Sequence, residues 1–335
     1  MLATQLAFGA MLRPKYVGNA TPTLELAENI LYYNAGRGIA PLLPLGLILS
    51  SRIESRLLEA ARILGYAQIE LPHIVSTEIL KNGAPMASGF RDVLVPLSGR
   101  MHMQHLMCTP EMQIAQMLRA SQASHRALPL RCCYIATFFR QLRQPRPLLK
   151  GREFRIFGAM TFGRANEELA GTVVELKALT VRLLEDLGIP YEEVSRGPTH
   201  FELFYPMVNG IDHYIIGKVR RRGLSLAMSY EYEISNHAPK YRDEVNNSRR
   251  MRSITFGLGL QRLLFASVDA VRRSHGFLLP RALQAFTNAF ILRDRLSDPR
   301  TVDGPNILID DRLWLPIRRR RAFCEFLGIE TISTW

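Results

Sequence analysis

Between Leu47 and Leu64 apolar residues return at helical spacing (Ile53, Leu57, Leu58, Ala61, Leu64), and Gly65 supplies a stop. The pattern predicts an amphipathic helix. Alternation takes over at Ala67, Ile69 and Leu71 and predicts a strand ending at Pro72. Two longer stretches rich in aromatic and β-favouring residues follow, Arg131 to Arg140 and Arg152 to Phe162. The second alternates Phe154, Ile156, Gly158, Met160 and Phe162 on one face. They read as antiparallel partners joined by a basic, proline-stiffened loop carrying Arg143, Pro145, Arg146, Pro147 and Lys150.

Glu167 to Leu187 repeats Leu169, Val173, Leu176, Leu179, Leu183 and Leu187 and closes on Gly188 and Pro190, the pattern of a long helix. Further strands are predicted at Thr199 to Phe204, Ser225 to Ile234 and Ser253 to Leu258, and a helix from Leu260 to Val271. Strands grouped around a few helices, without βαβ alternation, predict an α+β fold built on an antiparallel sheet. After Pro280 the texture changes to Ala285–Leu292, a polar stretch, then a short strand at Asn306 to Ile309 leading into Asp310, Asp311 and Arg312. This resembles the opening of a small α/β unit, so the expected division is a large domain over 1–280 and a small one over 281–335.

Composition narrows the function classes. With 335 residues, 47% hydrophobic and 22% charged, the chain can bury a full core and is too apolar for disorder. No apolar run approaches the roughly 20 residues that cross a bilayer, so no membrane partner is expected. The four cysteines (Cys108, Cys132, Cys133, Cys324) form no CxxC pair, which argues against structural zinc and fits a reducing, cytoplasmic setting. A net charge of +13 attracts polyanions, nucleic acid first and an anionic membrane surface second. The excess of Arg (37) over Lys (6) is also what a GC-rich genome produces without selection for binding. The first 24 residues hold Arg13 and Lys15 and no acid, a faint echo of a transit peptide that reads more simply as an N-terminal arm.

The stretch FRQLRQPRPLLKGREF, Phe139 to Phe154, resembles motif 2 of class II aminoacyl-tRNA synthetases, and within them the prolyl enzymes. GLGLQR, Gly257 to Arg262, is similar to their motif 3, and the first helix with the strand to Pro72 is similar to motif 1. Between these, PLGL at Pro44–Leu47 and CTPE at Cys108–Glu111 resemble the segment before motif 1 and the TxE substrate loop. Glu233, Ile234, Lys240 and Tyr241 echo a family segment before motif 3, and Asp310, Asp311 and Arg312 echo the anticodon-binding domain. The resemblance implies a class II synthetase-like sheet flanked by helices and a homodimer formed through motif 1. It implies proline, ATP with Mg²⁺ and proline tRNA as the molecules bound, and proline activation followed by transfer to that tRNA. No metal ligand from the protein is implied.

The chemistry suits the residues. Joining a carboxylate to the α-phosphate of ATP brings two negative charges together, and a planar guanidinium bridges both with fork-like hydrogen bonds, the role implied for Arg140. Arg262 opens a helix after a glycine-relaxed strand (Gly257, Gly259), where its charge and the helix N-terminus suit terminal phosphates. These two arginines are the implied catalytic residues. Phe154 alone reads as core; within Arg-Glu-Phe it becomes an adenine-stacking ring, with Arg152 and Glu153 beside it in the nucleotide pocket. Thr109 and Glu111 offer an acceptor and a carboxylate to a substrate ammonium, and equally read as a helix start with Thr109 as N-cap and Pro110 at the first position. His200 and Glu202 resemble the family's Ser-His-Glu-Phe segment in altered order and join the proline set. The arginine runs 220–222 and 318–321 suit tRNA phosphates or a plain solvated face.

Departures from the family pattern keep other classes open. Leu142 and Gly158 stand where acids are expected, Ile254 replaces a glycine and would crowd a wall of the amino-acid pocket, and Met107-Cys108 replaces a proline-glycine pair. A non-catalytic RNA-binding or accessory subunit, or a paralogue serving a non-tRNA acceptor, fits those changes. About 90 residues separate Phe162 from Ile254, too few for an editing domain beside the predicted elements, and about 55 follow Pro280, which implies a reduced anticodon-binding-like domain.

Overall fold

The computed structural model describes residues 4–5, 27–28, 31–81, 91–101, 103–120, 123–207, 210–232, 238–273, 276–277, 280, 282–294 and 306–334. Nearly all of the N-terminal arm, and Glu233 with Ile234, lie outside the described residues.

Eight strands make the central sheet: β1 (Ala67–Gln68), β2 (Leu130–Phe139), β3 (Glu153–Gly163), β4 (Glu192–Ser195), β5 (Phe201–Pro206), β6 (Asp212–Ile216), β7 (Val219–Glu231) and β8 (Arg252–Gly259). Their order is β1-β2-β3-β8-β7-β5-β4, with β6 paired to β7 off this path. Every pairing is antiparallel except β1 with β2. The α+β expectation holds. The strand expected through Leu71 shortens to two residues, because after Ile69 bonds the Cys133 carbonyl the chain turns Leu71 into the core. β7 starts before the expected Ser225 because β6 gives it a hairpin partner, and the Arg220–Arg222 run is therefore strand.

Among the described residues there are six α-helices, α1 (Pro44–Ile63), α2 (Thr77–Lys81), α3 (Glu111–Arg119), α4 (Asn166–Asp186), α5 (Leu260–Asp269) and α6 (Ile317–Phe326), the last beside the C-terminal strands. α1 begins with Pro44, whose fixed φ suits a first helical residue, and stops at Gly65, which takes φ +78°. Leu49, Ile53 and Leu57 of α1, Leu169, Leu176 and Leu184 of α4, and Leu260, Leu263 and Leu264 of α5 bury against one face of the sheet. Each such side chain contributes roughly 1.5–3 kcal/mol by leaving water. On the opposite face Tyr134, Phe138, Met160 and Phe162 meet Met112 and Ile114 of α3, forming a smaller core that leaves room for a cleft.

One row across the sheet fixes the floor of that cleft. Tyr134 pairs with Gly158, Gly158 with Gly257, and Gly257 with Met228. A Cβ on Gly158 would lie 2.2 Å from the Tyr134 ring, so the tyrosine occupies the space a side chain at 158 would need. Ile254 faces the other way, buried in the helix-side core, and does not crowd the cleft.

Three C-terminal strands, β10 (Ile307–Asp310), β9 (Asn288–Ile291) and β11 (Thr331–Thr334), form a parallel sheet that the N-terminal Thr4–Gln5 joins beside β10, covered by α6. Leu283, Ala289, Ile291, Leu308 and Cys324 join the same core as α1. From α1, Arg52 donates to the Gln284 carbonyl at 3.0 Å and to Asn306 Oδ1 at 2.9 Å. The 318–321 run opens α6 and divides by helical phase: Arg318, Arg319 and Arg321 are exposed, whereas Arg320 is buried and donates to the Leu292 and Asp310 carbonyls.

Candidate active site

The cleft is a cavity of about 290 Å³ over the ends of β2, β3, β7 and β8, walled by Cys108–Glu111 and by Leu148–Gly151 of the motif-like loop. Two kinds of polar group face each other across it.

At one end Glu111, the first residue of α3, is 4% exposed. Thr109 donates its hydroxyl to Oε2, while the hydroxyls of Tyr230 and Thr255 each reach Oε1 at 3.3 Å. Tyr230 and Thr255 are cross-strand partners, which is why both arrive at one oxygen. Burial lifts the Glu111 carboxyl above its ordinary pKa, against the pull of its own backbone N–H, of Arg140 and of the two hydroxyls. Burial likewise pushes the neighbouring Cys108 thiol up to about 11. Thr109 is not the N-cap: Pro110 holds that position without a side-chain cap, and the threonine hydroxyl serves Glu111 instead.

Arg140 leaves the end of β2 at the cleft's middle. Its Nε and Nη2 donate to the Cys108 carbonyl at 3.4 and 3.2 Å, and its guanidinium lies 5.1 Å from the Phe154 ring centre. Phe154 also packs tilted on Phe138 at 6.0 Å, which fixes its ring. Burial lowers the Arg140 pKa, yet an arginine keeps its proton throughout the physiological range.

At the other end Arg262, in the first turn of α5, donates through Nε to the Leu149 carbonyl and through Nη1 to Asp212 Oδ2 and the Ser225 carbonyl, each at 2.8 Å. Gly257 and Gly259 line the cavity beneath it, Gly259 as the N-cap of α5. The backbone N–H of Arg155 is held by Gln261 Oε1 at 2.8 Å, tying β3 to the residue before Arg262.

Arg140, Phe154, Gly257, Gly259, Arg262, Thr109 and Glu111 thus line one cavity. Arg152 and Glu153 do not. They line a neighbouring cavity of about 670 Å³ with Asp92, Gln141 and Arg143, and Arg140 and Leu142 form the wall shared by the two. The Arg152 Nη2 donates to the Leu142 carbonyl at 3.3 Å, and its backbone N–H to the Gly38 carbonyl at 3.0 Å. His200 and Glu202 stand outside both linings. Glu202 lies one layer behind, accepting from Ser225 Oγ at 2.6 Å, because β5 is the strand beyond β7. Among the described residues no group of three or more His, Cys, Asp or Glu side chains is placed to hold a metal ion.

Sequence reasoning missed Tyr134, Tyr230, Thr255, Asp212 and Ser225, all within or against the cleft. The alternation of β7 and β8 would have placed Tyr230 and Thr255 on the face of Gly257. Asp212 carried no signal, since only the β6–β7 hairpin brings it to Arg262.

Residues 100–271, just over half of the chain, match a family model described as the tRNA synthetase class II core domain (G, H, P, S and T). The proline–tRNA ligase of Fusobacterium nucleatum is 28% identical over 183 residues, 51% of this chain and 31% of that protein. The proline–tRNA ligase of Kocuria rhizophila is 27% identical over 189 residues, 54% and 31% of the two chains. The match thus spans under a third of the length of these curated relatives. Among solved structures, Giardia lamblia prolyl-tRNA synthetase in complex with prolyl-adenylate superposes with a TM-score of 0.73 at 18% identity, covering 89% of this chain and 66% of that one. Cryptosporidium parvum prolyl-tRNA synthetase with halofuginone and AMPPNP gives 0.76 at 15% identity, with 95% and 69% covered.

Proposed function

Because the chain belongs to the class II tRNA synthetase core family, we propose that it activates proline with ATP and passes it to proline tRNA. The observation that carries this reading is one cavity holding a buried carboxylate ringed by hydroxyls at one end, a carbonyl-anchored guanidinium at its middle and a second at the other end. A secondary ammonium has two N–H donors, and among the described residues lining the cavity Glu111 is the one carboxylate to receive them, with Thr109 beside it. Its carboxylate then lies toward Arg140, where an oxygen attacks the α-phosphorus; a P–O bond forms and pyrophosphate leaves with the electron pair of the broken one. In the second step a ribose hydroxyl of the tRNA end attacks the carbonyl and AMP leaves. No side chain becomes covalently attached. Orientation and charge stabilisation supply the rate, and Phe154 supplies a ring for the adenine. Mg²⁺ enters as part of the substrate, on the ATP phosphates.

The relatives named proline–tRNA ligase support proline as the amino acid and tRNA as the acceptor. Proline-dependent exchange of pyrophosphate into ATP, followed by charging of proline tRNA, tests both halves; exchange with another amino acid and none with proline refutes the substrate. Leu142, apolar on the wall shared by the two cavities, favours a second reading as a non-catalytic RNA-binding subunit, for which exchange is absent while tRNA binding persists. We further propose a homodimer through α1 and β1, supported by the exposed Leu47 and Ile63 on α1 and read by sedimentation at micromolar concentration. Residues 281–335 are proposed as a reduced anticodon-binding-like unit. A cytoplasmic location is supported by the four free thiols; no helix among the described residues is long and apolar enough to cross a membrane.

A further inference from the structure

Arg262 is held before any ligand arrives. Its Nε and Nη1 are committed to the Leu149 carbonyl, the Ser225 carbonyl and Asp212, while among the described residues Nη2 takes no hydrogen bond. Two of the three anchors are backbone dipoles; Asp212 alone is charged. The same Asp212 Oδ2 also accepts the Ser225 N–H at 3.0 Å, so the carboxylate is fixed by β7 as it fixes the arginine.

The chain reaches this arrangement through an unusually close crossing. Gly210, just before β6, lies against Gly223 of β7, where an added Cβ would come within 2.4 Å of the Gly223 backbone. A Cβ on Gly223 would in turn lie 2.6 Å from the Tyr214 ring and 2.8 Å from the Tyr205 carbonyl. With no side chain at either glycine the β6–β7 hairpin closes at its root, and Asp212, paired with Gly223, arrives beside the cleft.

The geometry points to Asp212 as a positioning residue: it locks the Arg262 guanidinium so that Nη2 faces the terminal phosphates of the bound nucleotide. This rests on the reading of the cleft as an ATP site. A free arginine side chain loses rotamer freedom when a ligand immobilises it, and the three anchors remove that loss beforehand. The alternative is a partly exposed ion pair, 26% and 31% exposed, of small stability value only.

The sign of one measurement separates the possibilities. Asp212 is a negative charge close to where a polyanion binds, so through charge alone its removal tightens nucleotide binding. Through positioning, removal weakens it. The readout is the Kd of AMPPNP with Mg²⁺ by calorimetry, which needs no turnover and so reports on Asp212 even where proline-dependent exchange fails and refutes the proposed function. Asp212→Ala is expected to weaken AMPPNP about tenfold, and Asp212→Asn, which keeps an acceptor, about threefold. In active protein the KM for proline stays within about twofold of wild type. Should the alanine variant not fold, the asparagine variant carries the test. Unchanged or tighter AMPPNP binding in a folded variant, or equal loss for ATP and proline, overturns the proposal.

Discussion

At one end of the cleft, proposed to take the amino acid, a single carboxylate, Glu111, sits away from water beneath Thr109, Tyr230 and Thr255, whereas at the other, proposed to take the phosphates, Arg262 stands 26% exposed and tied to carbonyls and Asp212. Hydroxyls rotate to suit a proton or an ammonium, so the first end adapts its donors to the state of one buried acid. Carbonyls and a carboxylate only accept, so the second end holds donors in place, and its negative dipoles favour a cationic one. The first surroundings select by shape and desolvation; the second preset a direction for charge. Arg140 joins them, donating to the carbonyl of Cys108 in the loop that carries Glu111 while its guanidinium lies over the Phe154 ring.

Removing that junction should cost most. Arg140→Ala is expected to slow proline-dependent pyrophosphate exchange at least about a hundredfold, the scale of a lost preorganised donor. An exchange rate within threefold of wild type would break the view of two ends meeting at one arginine.

The floor of the amino-acid end comes next. Gly158→Ala forces a methyl into the Tyr134 ring and should cost about 1–3 kcal/mol of stability, read as a lower urea midpoint. The matching substitution Gly257→Ala, where the nearest atom is the Ile156 methyl at 3.7 Å, should cost less stability and act by filling the cleft. Equal urea midpoints for the two variants would remove the asymmetry.

Smaller again is the effect of one hydroxyl. Thr255→Val deletes a donor to Glu111 and should raise the KM for proline about fivefold, near 1 kcal/mol, with the KM for ATP unchanged. A change confined to ATP would transfer Thr255 to the other end.

The smallest effect is a slope. Because burial raises the Glu111 pKa, the folded protein keeps this proton to higher pH than the unfolded chain does. The group therefore favours folding below its ordinary pKa of about 4.5 and loses that contribution as pH rises through the raised folded value. Glu111→Gln should flatten this decline and be relatively more stable than wild type at neutral pH, measured by urea midpoints across the range. A steeper decline in the variant would contradict the sign.

How far the sequence carried this description depended on whether the chemistry was local. The helices expected at Glu167–Leu187 and Leu260–Val271 follow from apolar spacing and glycine stops, and β2 and β3 from alternation, because burial on one face imposes those periods directly. Arg140, Phe154 and Arg262 were visible because each lies inside a short run with its own pattern. The hidden residues act across chain separations: Thr255 meets Glu111 over 144 positions, and Arg262 meets Leu149 over 113 through a backbone carbonyl that no residue type announces. Arg152 and Glu153 share one sequence run with Phe154, yet Glu153 alternates to the other face of β3 and Arg152 lies in the bend before the strand, and both line the neighbouring cavity. Glu202 missed the lining by one strand, since motif order says nothing about which side of a neighbouring strand a side chain occupies.

Tyr134 over Gly158 also constrains the order in which substitutions can accumulate. A side chain at 158 and the tyrosine ring cannot occupy the same space, so any lineage exchanging one for the other must pass through a glycine paired with something smaller than tyrosine. That intermediate carries a void under the cleft, with the loss of stability that voids bring. Once the ring has filled it, introducing a carboxylate at 158 is blocked until 134 shrinks first. The two positions form a ratchet: a route taken in one sequence of steps cannot be retraced by reversing the first of them.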